Sequence, residues 1–296
     1  MDISGLQAFI SVAEHASFSA AADDLYLTQP AVSKRIAALE SELNNRLFDR
    51  IGRQIQLTEA GRALLPRAQT IISEVQDSQR AIRNLSQEVG GQLSIGTSHH
   101  IGLHRLPPVL RHYNQSYPQV ELNMQFLDSE KACKAVLHGE LELGIVTLPP
   151  ENTDPLTLVP LWNDPLHIVA CSEHPLAQQQ SVQLSDLAEH PAILPARGTF
   201  TREVIEKMLE PSNIQLQVRL STNYLETIRM MVDIGLGWSV LPETMISGNL
   251  RTVNIKDLKL SRQLGIVYHS ARTLSNAGKA MHDLLINSLD SAQTTV

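Results

Sequence analysis

Apolar side chains recur at helical spacing over the first ninety residues, and after Gly90-Gly91 short apolar strands alternate with amphipathic helices. Leu6, Phe9, Ile10 and Ala13 predict a first helix. Ser17 and Ser19 offer N-caps for a short second helix through Ala20-Ala21-Ala22-Asp23-Asp24-Leu25, ended by Tyr26-Leu27. Thr28 can cap a third helix, whose first turn tolerates Pro30 because no N–H is needed there. Its apolar stripe is Val32, Ile36, Leu39 and Leu43. Ile55-Gln56-Leu57, after Gly52, alternates as one of two short strands. Leu64, Ala68, Ile71, Val75, Ser78, Ile82, Leu85 and Val89 then follow at steps of four and three, a heptad seam with a polar break at Ser78. That length favours a helix that pairs with a second copy over one packed only on its own domain, and Pro66 is expected to bend it.

Beyond residue 90 the pattern predicts strands at 92–96, 120–126, 143–146, 166–170, 217–220, 238–241 and 264–268. Helices are predicted at 106–117, 130–138, 201–209, 225–233 and 276–289. Such alternation implies parallel sheets with covering helices, and about 200 residues suit two lobes with a cleft between them.

Charge changes this picture only when resolved along the chain. The total is −7, which on its own argues against nucleic acid. Residues 29–67, however, carry seven bases against four acids, so the segment is locally basic. Two cysteines exclude a disulfide scaffold, and no apolar run is long enough to span a bilayer. Met1-Asp2-Ile3-Ser4-Gly5 has neither the basic nor the apolar part of an export signal, so a cytoplasmic protein is expected.

The second and third helices have the spacing of a helix-turn-helix, whose second helix enters the DNA major groove. Ser17-Phe18-Ser19, Ala21-Ala22, Leu25, Leu27-Thr28-Gln29-Pro30-Ala31-Val32-Ser33, Ile36, Leu39-Glu40, Leu43, Leu47-Phe48, Arg50 and Leu57-Thr58-Glu59-Ala60-Gly61 resemble the N-terminal signature of LysR-type transcriptional regulators. Asn44 stands where that family usually has glycine, at a position expected to close the recognition helix in the left-handed region. Gly90 to Gly96, Gly139 to Ile145 and Val232 to Pro242 resemble later landmarks of the same family.

The resemblance implies an α/β multidomain chain. A winged helix-turn-helix (residues 1–58, the motif itself about 18–37) precedes a linker and dimerisation helix (59–89). A two-lobed effector domain like the periplasmic binding proteins (90–296) follows, with lobe I at about 92–162 and 269–296 and lobe II at about 163–268. It also implies double-stranded promoter DNA as partner and self-assembly into dimers or tetramers, and leaves RNA polymerase open as a further partner.

Gln29, Ser33 and Lys34 are best placed on the recognition helix to reach bases or phosphates. Ala31 suits a thymine methyl, Pro30 shapes the approach, and Arg50 and Arg53 flank the wing near phosphates. The bland alternative is a solvated face, with Arg50 paired inside its own domain.

By register with the family, Thr97, Ser98, His99, His100 and Thr147 face the cleft from one lobe. Arg197, Gly198, Thr199, Phe200, Thr201, Asn223 and Trp238 face it from the other, Trp238 being equally at home in a core. Hydroxyls and N–H groups before helices suit an anion, so the expected effector is a small organic acid, aromatic acids included.

His99, His100 and His104 have no Cys, Asp or Glu nearby in sequence, so no metal and no cofactor is expected. Cys133 and Cys171 fall in apolar elements and read as structural thiols. A solute-binding protein or an enzyme on the two-lobed domain is the competing class. It lacks an export signal, a phosphate loop, a nucleophile elbow and a His-Glu-x-x-His zinc motif.

Overall fold

The computed structural model describes residues 1–51, 54–86, 88–151, 153–210 and 214–293. The chain divides near residue 87 into two compact units, with 138–140 grouped with the first.

In the first unit, α1 (Ile3–His15), α2 (Phe18–Asp24) and α3 (Gln29–Leu43) surround a core of Phe9, Val12, Ala21, Val32, Ile36 and Leu39. Ser17, and not Ser19, caps α2, its hydroxyl accepting from the Ala20 N–H at 3.3 Å. The wing is the antiparallel pair β1 (Phe48–Ile51) and β2 (Gln54–Leu57), with Phe48 opposite Leu57. Phe48 packs its ring 5.3 Å from Phe9 and 5.9 Å from Phe18, which ties the wing to the helices. Helix α4 (Glu59–Arg83) starts at Thr58, whose Oγ1 accepts from the Gly61 N–H. A Cβ at Gly61 would lie 2.2 Å from the Leu47 carbonyl oxygen, so the close approach of α4 to the wing requires glycine. Pro66 does not interrupt α4: a proline there leaves one carbonyl of the preceding turn unpaired while the helix continues. The heptad helix is shorter than predicted. After Arg83 a single 3₁₀ turn (Asn84–Ser86) ends it, and Val89 packs instead on the core of the second unit.

In the second unit, β3 (Gly91–Thr97) lies between β4 (Val120–Phe126) and β5 (Leu143–Thr147), all parallel. Helices α5 (His99–His104), α6 (Pro107–Ser116) and α7 (Ser129–His138) cover them. The sheet is not parallel throughout as expected. β6 (Leu156–Cys171) and β11 (Leu260–His269) pair antiparallel along their lengths, β5 joins β11 antiparallel, and β9 (Ser239–Pro242) and β10 (Leu250–Thr252) join β6 antiparallel. Two long strands that run back and forth between lobes impose that direction.

The first half of β6 escaped the sequence pattern because Pro160 and Pro165 read as breakers. The ladder absorbs them around a register shift at Leu264/Gly265. A Cβ at Gly265 would meet the Val159 carbonyl oxygen at 2.2 Å, so the two crossing strands can approach only through glycine.

The second lobe adds α8 (Pro175–Gln178), the parallel pair β7 (Ala192–Leu194) and β8 (Val218–Ser221), α9 (Phe200–Leu209) and α10 (Leu225–Asp233). Helix α11 (Asn276–Gln293) returns to the first lobe, packing Ala277, Met281 and Leu285 with Leu93 and Ile95. Among the described residues no helix is long and apolar enough to cross a membrane.

Candidate functional site

The turn between α2 and α3 closes with paired backbone bonds, Leu27 N–H to Ala22 O at 2.8 Å and Tyr26 N–H to Asp23 O at 3.2 Å. Tyr26 takes the left-handed position (φ 54°) with its side chain 96% exposed. Asn44 ends α3 in the same way (φ 49°), with the Asn45 N–H on Glu40 O.

Burial of Val32, Ile36 and Leu39 turns the opposite face of α3 outward. Gln29, Pro30 and Lys34 are exposed, and Ala31 and Ser33 half-buried. Gln29 Nε2 donates to Ser33 Oγ at 3.0 Å, so the two polar side chains form one donor–acceptor unit. Arg50 lies in β1 opposite Ile55, and Arg53 lies outside the described residues. Sequence reading placed Tyr26 at the helix end but did not foresee its left-handed backbone.

A cavity of about 50 Å³ lies between the lobes of the second unit. Ser98, His99, His100 and Thr147 line it from one side and Thr199, Thr201 and Asn223 from the other. Parallel strands ending at a common edge and helices α5, α9 and α10 starting there bring these residues together. Across it Glu130 of one lobe accepts the Phe200 N–H of the other, which draws the two lobes together.

Other predicted residues fall elsewhere. Thr97 is buried beneath the cavity, its hydroxyl donating to Ile145 O at 2.8 Å. Arg197 is exposed and 3.8 Å from Glu206, and Gly198 makes the turn ahead of α9. Trp238 is wholly buried in the second lobe, its Nε1 donating to the Leu187 and His190 carbonyls. Its indole is core because Trp238, just ahead of β9, bridges to Ala192 of β7 and packs with Leu194, Ile205 and Val240. Phe200 contributes its backbone to the site and lays its ring against the first lobe's Ala132 and Val136 cluster.

The charged residues of the cavity came only from the structure. Arg262 is buried, with Nε donating to Asp164 Oδ2 at 2.8 Å and Nη1 to Thr201 Oγ1 at 2.7 Å. Arg262 and Asp164 face each other across β11 and β6. Both share the inward parity of their apolar neighbours, Leu264 and Ile266 on one strand and Leu166 and Ile168 on the other. A charge at an inward parity position was the legible signal. Glu130, at the start of α7, accepts the Phe200 N–H at the first turn of α9. Burial raises its carboxyl above the ordinary glutamate range. His100 is lowered to about 3, chiefly by burial and then by Arg262, and is therefore neutral. His99 sits at the rim with its ring 5.2 Å from Phe126 and 4.9 Å from Tyr224.

Cys133 and Cys171 are free and buried. Burial pushes the Cys133 thiol up to about 12.

Residues 3–62 match the model for the bacterial regulatory helix-turn-helix protein of the lysR family, and residues 86–290 that for the LysR substrate binding domain. A probable RuBisCO transcriptional regulator of Synechocystis sp. is 34% identical over 280 residues, covering 91% of this chain and 81% of that protein. A full-length OxyR variant from Pseudomonas aeruginosa has a TM-score of 0.69 at 23% identity, covering 98% of this chain and 94% of that one. Full-length CbnR complexed with its target DNA has a TM-score of 0.63 at 20% identity, covering 99% of this chain and 100% of that one. At these identities the solved structures share the fold. With both family matches in order along one polypeptide, the chain belongs to the LysR family of DNA-binding transcriptional regulators, a helix-turn-helix domain joined to an effector-binding domain.

Proposed function

We propose that this regulator grips pseudo-palindromic promoter DNA through α3 and the wing, assembles through α4, and is switched by a small organic acid between the lobes of its effector domain. On this reading residues 1–58 bind DNA, 59–89 mediate self-association and 90–296 sense the effector, all in the cytoplasm. Exposed Ile82 and Leu85 at the far end of the heptad seam support assembly, since apolar groups there gain most from a second copy.

The observation that carries the effector chemistry is the bond from the Phe200 N–H to the Glu130 carboxylate across the cleft. A helix N-terminus favours negative charge, and here the opposite lobe supplies it. The Ser98, Thr199 and Thr201 hydroxyls and the Arg262 guanidinium stand around the same space. An external carboxylate in the place of Glu130 keeps those donors and returns a poorly solvated side chain to water. An acid that binds one lobe arrangement better than the other shifts the balance between them by that difference in affinity, and with it the spacing of the DNA-binding heads.

Calorimetric titration of the full chain with organic acids, neutral sugars and amines tests the sensing half. Acids bind, and Thr199→Val and Thr201→Val weaken them; binding confined to sugars or amines overturns the reading. A gel shift with the DNA upstream of the coding sequence tests the other half, and the absence of a band that survives competitor DNA counts against it.

A further inference from the structure

His100 and His104 lie one turn apart on α5 of the first lobe, and Glu226 lies in the first turn of α10 of the second. One ligand atom from each falls within 4.8 Å of the others. His104 Nε2 is 3.3 Å from Glu226 Oε1, and His100 Nδ1 is 4.0 Å from the same oxygen. The two imidazole rings stand 4.8 Å apart. His100 is only 4% exposed, and neither of its ring nitrogens has a hydrogen-bond partner; the buried Glu226 Oε1 has none either. Two partnerless ring nitrogens on a buried histidine are costly unless something satisfies them.

We propose that His100, His104 and Glu226 form a binding site for a divalent transition metal ion of the zinc class, one that fastens α5 of one lobe to α10 of the other. Two imidazoles and a carboxylate are a donor set that zinc takes with a fourth position left open. Donors in a tetrahedral zinc shell stand roughly 3.3–3.4 Å apart, given bonds of about 2.0–2.1 Å. The His104–Glu226 separation already has that value, and the ligand atoms of all three residues lie within 4.8 Å of one another. Arg262 and Arg105 are the nearby positive charges, and Asp164 holds both, at 2.8 and 3.7 Å. Asp164 and Glu226 together balance these two cations, so the site's own net charge is zero.

His99, His100 and His104 pointed to no metal in the sequence, because the carboxylate partner is supplied from a different lobe. Since a ligand comes from each side of the cleft, the ion stabilises the closed arrangement and leaves the open one unbridged. His100 also lines the cavity assigned to the acid, but the test does not rest on that reading, because zinc alone is the probe and no acid need be present.

The test is calorimetric titration of chelator-treated full-length protein with zinc chloride, with thermal unfolding followed in parallel. One zinc ion per chain binds, and the melting temperature rises. His104→Ala and Glu226→Gln, at side chains 40% and 38% exposed, each weaken binding by at least about tenfold and abolish the thermal shift. His112→Ala, at an exposed histidine on α6 outside the site, leaves both unchanged. X-ray absorption of the zinc-loaded wild-type protein shows nitrogen and oxygen ligands with two imidazoles, a readout that does not depend on any variant folding. Absence of stoichiometric binding, unchanged affinity in both variants, or a shell containing sulfur overturns the proposal.

Discussion

The carboxylate of Glu130 on α7 accepts the backbone N–H of Phe200 on α9, so one lobe caps the first turn of a helix in the other. Burial raises the Glu130 carboxyl, so the folded protein takes up a proton more readily than the unfolded chain. Stability therefore falls as pH climbs from the ordinary glutamate value of 4.5 through the raised one. Glu130→Gln keeps an acceptor for the Phe200 N–H and removes the charge. Its melting temperature is expected to exceed that of wild type at about pH 7 and to converge with it below pH 4.5, as scanning fluorimetry across pH can show.

Arg262 and Asp164 behave as a unit. Arg262→Met leaves Asp164 buried without its closest partner and is expected to cost about 3–5 kcal/mol, whereas Arg262→Met with Asp164→Leu recovers much of that loss. Both tryptophans, Trp162 and Trp238, lie in the effector domain, so denaturant unfolding followed by their fluorescence reports on that domain alone. Additive losses in the double variant would refute the coupling.

Lys34 is exposed on the outward face of α3. Lys34→Ala is expected to weaken DNA binding across sequences and to lower the slope of log affinity against log salt by about 1. Fluorescence anisotropy over a salt series measures both, and an unchanged slope removes Lys34 from the phosphate contacts.

Tyr26 holds a left-handed backbone that glycine adopts without strain. Against that, glycine loses more chain entropy on folding, so Tyr26→Gly is expected to gain a net ~0.5 kcal/mol in stability. The variant also loses DNA affinity, because the most exposed ring beside the recognition helix is gone. Calorimetric unfolding and a binding isotherm test the two halves separately; retained affinity would make Tyr26 a turn residue only.

Ile82 and Leu85 end the heptad seam on the surface. Ile82→Asp with Leu85→Asp is expected to lower the sedimenting mass of the full chain without shifting the unfolding of either domain. A variant that sediments as wild type would reject assembly through α4.

The elements whose cause is local were legible in the sequence. Helix α10 runs Leu225–Asp233 and β4 runs Val120–Phe126, both as predicted, because each carries an unbroken period between clear breakers. Asn44 closes α3 in αL as its residue type suggested. The long β6 was not legible, since Pro160 and Pro165 are breakers in isolation, and Pro160 is accommodated beside the extra residue Leu161 that β6 carries opposite Leu264/Gly265. Arg197 and Trp238 were placed by register with a family and not by packing; their burial depends on which neighbours arrive.

By itself, then, the sequence determined most of the longer helices, the outward face of α3 and the order of domains, because periodicity and capping act within a few residues. Only the tertiary structure decided that Glu130 reaches Phe200 seventy residues away, that Arg262 meets Asp164, and that His104 meets Glu226. Those pairs come from strands and helices that a long-range sheet brings to one edge. Nothing in the local chain encodes which charge a buried group will face when the lobes close.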